Sequence, residues 1–380
     1  MKIGIDARLW GQTGVGRYIR NLVKNLQEID KTNTYVLFVR NQDHDEIQNS
    51  EFKIQNVKWK IVKTDIKWHT VSEQVRFASI LNKEKLDLVH FPYFSVSIFY
   101  NRPFVVTIHD LIINHFPTGK ASTLAVPIYR IKLFAYKLII KKAAQKAKKI
   151  ITVSNATKEE IADHLKIKEN KIEVIYEAAD DSLKLKTENV KLQTSNTKYK
   201  IQNTKYFLYV GNAYPHKNLE KLIQAFNKIS NEYEDLKLIL IGKKDYFYQR
   251  LEKENKSKRI IFFGKATDSE LSSFYSNAIA LVSPSLMEGF GLPVLEAMSL
   301  KCLVIASDIP AFREIAQDNI LYFNPQDVND ISEKLKDVIK NEDKYKKEKL
   351  VRAFEKTKNF SWEKSARETL RVYEETLNSF

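Results

Sequence analysis

The chain of 380 residues is short of several things, and each shortage excludes a class. Cys302 is the only cysteine, so an intramolecular disulfide framework and a cysteine-rich zinc site are excluded. Ten glycines in 380 residues fall well below the usual ~7%. That excludes collagen-like, flexible-linker and low-complexity chains, and reserves glycine for places where φ is positive or backbone approaches a ligand. No run of 18 apolar residues occurs, and the start MKIGIDARLW has no signal-peptide core. The expectation is a cytoplasmic protein without transmembrane helices. Acid is missing locally: Leu111 to Lys158 contains no Asp or Glu but holds Lys120, Arg130, Lys132, Lys137, Lys141, Lys142, Lys146, Lys148, Lys149 and Lys158. Two-thirds of the net charge of +15 lies there.

What is present is globular. Hydrophobic residues make up 43% and charged residues 29%, enough for a sizeable core, and the length suggests two or three domains at ~150 residues each. Short apolar runs alternate with helical patterns, the signature of βαβ units and parallel sheets. The first half predicts strands at Lys2–Asp6, Tyr35–Val39, Lys58–Val62, Leu86–Phe91, Phe104–Ile108, Lys149–Val153 and Ile172–Tyr176. Helices are predicted near Gly16–Asp30, Val71–Leu81, Ser122–Ala147 and Ala156–Leu165. Asp180 to Lys205 is polar and aperiodic and reads as a connection. A second series predicts strands at Tyr206–Val210, Lys237–Ile241, Arg259–Phe263, Ala278–Val282, Leu303–Ala306 and Leu321–Phe323, then a helical end. Two doubly wound α/β domains are the economical account, with ligands expected at the carboxyl ends of the strands. The expected boundaries are 1–185, a linker over 186–205, a second domain over 206–360 and a terminal helix over 361–380.

The strongest local signal is Ser283-Pro-Ser-Leu-Met-Glu288-Gly289-Phe290-Gly291-Leu292-Pro293-Val-Leu-Glu296. It follows an apolar strand and opens a helix with proline in its first turn. Gly289 and Gly291 let backbone amides approach an anion, and the helix directs its positive end the same way. Glu288 and Glu296 are placed to accept hydrogen bonds from sugar or ribose hydroxyls. The alternative is an ordinary helix start with a surface Glu. In the second block, YFLYVGNAYPHKN, a strand ends at Gly211 and a helix starts near Asn218, a plausible N-cap. Lys217 is thereby held before a helix N-terminus, suited to neutralising a diphosphate, or else is a solvated turn lysine.

With these two blocks the chain resembles the retaining GT-B glycosyltransferases of family 4 (group 1), and among them bacterial mannosyltransferases. The resemblance covers essentially the whole chain. It implies two Rossmann-like domains facing across a cleft, the first binding the acceptor and the second a nucleotide-sugar donor. It implies Glu288 at the donor sugar, Glu296 at the ribose, the amides around Phe290, Gly291 and Leu292 at sugar and phosphate, and Lys217 at the diphosphate. Many relatives carry arginines where this chain has Asn212 and His216, which leaves Lys217 as the clearest cation. Gly264-Lys265 would lie beside the nucleobase. Gly14 and Gly16, in a glycine-rich loop that lacks the third glycine of the dinucleotide fingerprint, would close over the phosphates. His109, after the strand Phe104–Ile108, would contact the transferred sugar; on sequence alone it is as readily a packed residue. The C-terminal helix, opened by Phe360-Ser361-Trp362, would cross back to the first domain.

The resemblance implies a hexose, most simply mannose from GDP-mannose, moved to a surface polysaccharide or lipid-linked glycan. A UDP-sugar transferase and a GT-B sugar-nucleotide epimerase are the alternatives. No cofactor is expected beyond the donor as co-substrate. Asp43-His44-Asp45 is a literal D-x-D in a polar stretch without catalytic context, and the histidines lack metal-ligand spacing, so no metal is expected. The basic segment 120–149 interleaves lysines with apolar residues. It reads either as a core-facing helix with a solvated basic face or as a peripheral contact with anionic membrane at the inner face of the cell membrane. Nucleic acid is not expected, since no matching motif accompanies the basic stretch.

Overall fold

The computed structural model describes residues 1–12, 14–49, 58–116, 126–184 and 204–378. Of these, one compact unit takes the residues up to Asn114, those from 126 to Glu177, and those from Ser361 onward. The second takes His115, Phe116 and the residues from Ala178 to Phe360.

The first unit contains β1 (Lys2–Asp6), α1 (Gly14–Ile29), β2 (Thr34–Val39), α2 (Asn41–Asn49), β3 (Trp59–Lys63), a π-helical turn Glu73–Phe77 running into α3 (Ala78–Lys83), β4 (Leu88–Phe91) and β5 (Phe104–Ile108). The short α4 (Ile112–His115), whose last residue is counted with the second unit, follows, then α5 (Val126–Lys146), β6 (Lys149–Thr152), α6 (Asn155–Leu165) and β7 (Ile172–Val174). Its sheet is parallel with order β3-β2-β1-β4-β5-β6-β7.

The second unit contains α7 (Asp181–Lys184), β8 (Tyr206–Val210), α8 (Leu219–Ser230), β9 (Lys237–Ile241), α9 (Tyr246–Glu254), β10 (Ile260–Gly264), α10 (Asp268–Asn277) and β11 (Ala280–Ser283). After these come α11 (Leu292–Ser299), β12 (Val304–Ser307), α12 (Pro310–Ala316), β13 (Leu321–Phe323), α13 (Val328–Lys340) and α14 (Glu342–Thr357). Its parallel sheet has order β10-β9-β8-β11-β12-β13.

Both sheets are doubly wound. Strands such as FVVTI (β5) and IIFFG (β10) are buried along their whole length, as a sheet covered by helices on both faces requires. The order reverses between β1 and β4 in the first sheet and between β8 and β11 in the second. In doubly wound folds ligands bind beyond the strand ends at such a reversal.

Three of the stretches singled out in the sequence are placed as follows. The first unit ends at Glu177, not at 185, because Ala178–Leu183 packs with the second unit: Leu183 is fully buried and its carbonyl accepts from Ser272 Oγ at 3.0 Å. The expected linker 186–205 lies outside the described residues except for Thr204 and Lys205. The polar stretch holding Asp43-His44-Asp45 is helical (α2), with Asp43 buried and the Asp45 side chain 88% exposed. Residues two apart on a helix point to different faces, so these carboxylates do not converge.

The last helix, α15 (Trp362–Asn378), packs on α1 within the first unit. Ser361 caps it, accepting from Lys364 N at 3.1 Å. Trp362 lies against Tyr18, and Tyr373 Oη meets His90 Nδ1 at 2.6 Å. His90 Nε2 meets Thr107 Oγ1 at 2.8 Å, and Thr107 also meets Tyr18 Oη at 3.3 Å. Burial, with His109 nearby, lowers the His90 pKa to about 3, so the ring is neutral at pH 7. Tyr373→Phe leaves one nitrogen of this buried ring without a partner. It should destabilise the first unit by about 1–3 kcal/mol, read as a lower unfolding temperature and faster exchange of amides in α15; unchanged exchange would show that the hydroxyl does not hold the helix.

Candidate functional site

The loops leaving β8 and β11 flank the reversal in the second sheet, and the site is built from them. After β8 the chain passes Gly211 and Asn212, makes a 3-10 turn over Pro215–Lys217, and reaches Asn218 with φ +57. Asn218 stands at the N-cap position of α8 but does not cap it, contrary to the reading above. Its Nδ2 instead donates to the carbonyls of Pro284 (3.1 Å) and Pro325 (2.8 Å). Leu286 N donates to His216 O at 2.7 Å. The β8 loop is therefore tied twice to the loop after β11.

Those ties bring Lys217 and Glu288 together. Lys217 Nζ lies 2.6 Å from Glu288 Oε1, with side-chain exposures of 16% and 12%. Ser285 Oγ donates to the same oxygen at 2.6 Å. Burial pushes the Glu288 carboxyl up, but the charge of Lys217, the neighbouring His216 and the two hydrogen bonds prevail, holding it below the ordinary glutamate value. Burial and Lys217 lower the pKa of His216 to about 4, so the ring is neutral at pH 7 and adds no second cation. Glu288 Oε2 has no hydrogen-bond partner among the described residues.

Behind the pair, Gly291 caps α11 with φ +105. A Cβ there would lie 2.6 Å from the Phe312 ring as well as demanding a left-handed backbone. Pro293 sits in the first turn and has no N–H, and Val294 N and Leu295 N both donate to Gly291 O, at 2.9 and 3.3 Å, so the Leu292 amide is the one left at the positive end of the helix. The Phe290 ring is buried against Phe360, so only its backbone faces the turn that Gly289 opens. Glu296 is buried on α11 and accepts from Tyr275 Oη at 3.0 Å. Gly211 and Gly264 end β8 and β10 on either side of Gly242; Gly242 N donates to Gly264 O, and Gly211 N to Ile241 O, both at 2.9 Å. A Cβ on Gly242 would overlap Gly211 O at 1.9 Å. Asn212 O accepts from Tyr209 Oη at 2.5 Å. Lys265 is exposed after β10.

The remaining candidates lie in the first unit. His109 follows β5 with both ring nitrogens engaged: Nδ1 lies 3.1 Å from Glu177 Oε1 and Nε2 2.9 Å from Pro92 O. Burial disfavours its charge, but the hydrogen bond and charge of Glu177, aided by the Pro92 carbonyl, raise its pKa. Two acceptors require two N–H groups, which only the imidazolium supplies. Gly14, the first residue of α1, is exposed with open space around it. Gly16 packs against its own loop, where a Cβ would lie 2.4 Å from Trp10 O, so packing alone already requires glycine there.

Several contributors carried no readable signal. Glu177 lies 68 positions from His109. Ser285 stands inside the quoted string, yet nothing in the spacing indicated its bond to Glu288. Arg8 is buried between Asp6 (2.7 Å) and Glu73 (2.7 Å) and stacks 3.8 Å over Phe77, tying the end of β1 to the π-helical turn.

Two comparisons of sequence and one of structure bear on this arrangement. A family model described as Glycosyltransferase Family 4 matches residues 12–183, and one described as Glycosyl transferases group 1 matches residues 191–356. The chain is 26% identical over 326 residues to the O-antigen chain mannosyltransferase RfbU of Salmonella typhimurium, covering 83% of this chain and 84% of that protein. It is 33% identical over 171 residues to the O-antigen chain mannosyltransferase B of Escherichia coli, covering 44% and 45%. Its fold is similar to that of sucrose-phosphate synthase from Thermosynechococcus elongatus, with a TM-score of 0.77 at 19% identity over 100% of both chains.

Two predictions follow from the geometry. Asn218→Ala should lower the stability of the second unit by roughly 2 kcal/mol or more, since it strains a left-handed residue and orphans two carbonyls; thermal unfolding checks it, and an unchanged midpoint would sever the proposed loop tie. For His109 the raised pKa means its stabilising charge is fully present below the ordinary ~6.5 and lost as pH rises through the raised value. Glu177→Gln should move that loss to lower pH, seen in the pH profile of the first unit's unfolding temperature.

Proposed function

Because the chain belongs to the group 1 and family 4 glycosyltransferases, we propose that it moves mannose from GDP-mannose to a growing surface polysaccharide or lipid-linked glycan, with retention at the anomeric carbon. The observation that carries this reading is the Lys217–Glu288 pair at the strand reversal, with one Glu288 oxygen left for a ligand. The mannose assignment is supported by the activity of the relatives alone. In this reading the diphosphate displaces Glu288 from Lys217, whose cation and the α11 N-terminus stabilise the departing charge. The acceptor oxygen bonds to the anomeric carbon as the bond to the diphosphate breaks, and the acceptor proton passes to the departing diphosphate. Glu288 Oε2 accepts from a sugar hydroxyl, and Glu296 serves the ribose. For His109 to reach the sugar, Nε2 exchanges the Pro92 carbonyl for a sugar hydroxyl.

The proposed reaction uses no metal and no cofactor besides the donor. The place of action is the cytoplasmic side, in peripheral contact with the membrane; no described helix is long and apolar enough to cross one. The test is a panel of GDP-mannose, UDP-glucose, UDP-GlcNAc and UDP-galactose, scored by binding and by slow hydrolysis. GDP-mannose should bind and hydrolyse with retained configuration, and Lys217→Ala and Glu288→Ala should each lower turnover by ~10²–10³. Preference for a UDP-sugar would replace the donor. An isomerised nucleotide sugar formed without acceptor would make the protein an epimerase, and no binding at millimolar concentration would overturn the transferase reading.

A further inference from the structure

We propose that α5 is a docking surface for an anionic lipid bilayer, with Ile131, Phe134 and Leu138 forming the ridge that enters the headgroup–acyl boundary. This rests on the peripheral-membrane part of the reading above and not on the identity of the donor.

The helix serves two surfaces. Its inner face supplies Ile140, Ala143 and Ala144, all essentially inaccessible, to the core of the first unit, with Tyr136 packed beside them. At ~100° per residue the opposite face carries Ile131, Phe134 and Leu138, spaced i, i+3, i+7. These are 69%, 71% and 41% exposed. A surface helix of a soluble domain places polar residues there. Cations border the ridge on both sides: Arg130, Lys137 and Lys141 along one edge, Lys132 and Lys142 along the other. None of the five forms an ion pair among the described residues, and the helix contains no acid. The chain's ordinary solvated helices look different: α15 pairs Arg367 with Glu363 and Arg371 with Glu375 at i,i+4.

An apolar ridge bordered by unpaired cations matches a surface that is apolar within and anionic at its boundary, which is an acidic bilayer. Duplex nucleic acid would use the lysines but gain little from the aliphatic Ile131 and Leu138, and the ridge carries one aromatic ring, Phe134, where a single strand is held by a series of them. A second copy of this chain docked on the same face would bring like charges together.

The test is co-sedimentation of the full chain with phosphatidylglycerol-rich vesicles and with pure phosphatidylcholine vesicles. The protein should bind the first, far less the second, and release partly at high salt as the charge attraction is screened. Ile131→Ser with Phe134→Ser should weaken binding at least ~10-fold while leaving the unfolding temperature and hydrolysis of the soluble donor unchanged. A Phe134→Trp variant should shift its emission to the blue on the anionic vesicles. Equal binding to both vesicles, undiminished binding of the double variant, or an unshifted emission from the vesicle-bound Phe134→Trp variant overturns the proposal. So does a fall in unfolding temperature of the double variant, since the ridge would then be covered by the chain itself. Loss of donor hydrolysis with vesicle binding intact would instead strike the transferase reading.

Discussion

The ion pair between Lys217 and Glu288 is the contact on which the site depends. A pair this sheltered is weak evidence for stability, because desolvating two charges offsets much of their attraction, while removing one partner alone costs about 3–5 kcal/mol. Its value lies in placement. Glu288 keeps the ammonium ordered at the strand reversal, and Ser285 keeps the carboxylate ordered beneath it. In the proposed reaction an arriving diphosphate would meet a cation already in position and exchange one anion for another, so the reorganisation needed at the moment of charge development would be small.

The backbone around the pair explains where a chain poor in glycine spends it. Gly211, Gly242 and Gly264 end three neighbouring strands, and Gly242 cannot carry a side chain without striking the Gly211 carbonyl. Gly291 starts α11 against Phe312 in a conformation that β-carbons resist. The turns from β9 to α9 and from β10 to α10 can therefore stay short, running over 242–245 and 265–267. The fixed arrangement then passes through Asn218, whose amide bridges Pro284 and Pro325, so the lysine loop cannot drift from the glutamate loop.

Much of this was legible in the sequence, and the limit has a physical form. Tyr206–Val210, Lys237–Ile241 and Leu321–Phe323 are strands over the residues expected, since apolar runs bounded by polar turns leave little choice. Glu288 and Lys217 could be chosen because each stands at a strand-to-helix junction inside a specific string. Contacts between remote side chains were not legible. Asn218 reads as an N-cap by residue type, yet its left-handed backbone aims the side chain elsewhere. Glu177 and Tyr373 reach their histidines only through tertiary packing, and local spacing holds no trace of that. Gly16 reads as a phosphate-loop residue and is also required by packing, because both needs select the same missing side chain.

The same ambiguity governs α5. A helix that packs on a core with one face and meets lipid with the other is apolar on both, and its lysines sit on the edges between them. Its sequence therefore fits a core-facing helix and an interfacial helix equally well. Only the position of Ile140 and Ala143 against the sheet decides which apolar face is spent on folding. Once that face is assigned, Ile131 and Phe134 have no folding role left, and keeping them exposed carries a solubility cost. Covering the ridge while the protein works would remove that cost. A transferase whose acceptor is lipid-linked would meet that condition, because the bilayer that presents the acceptor also shields the ridge.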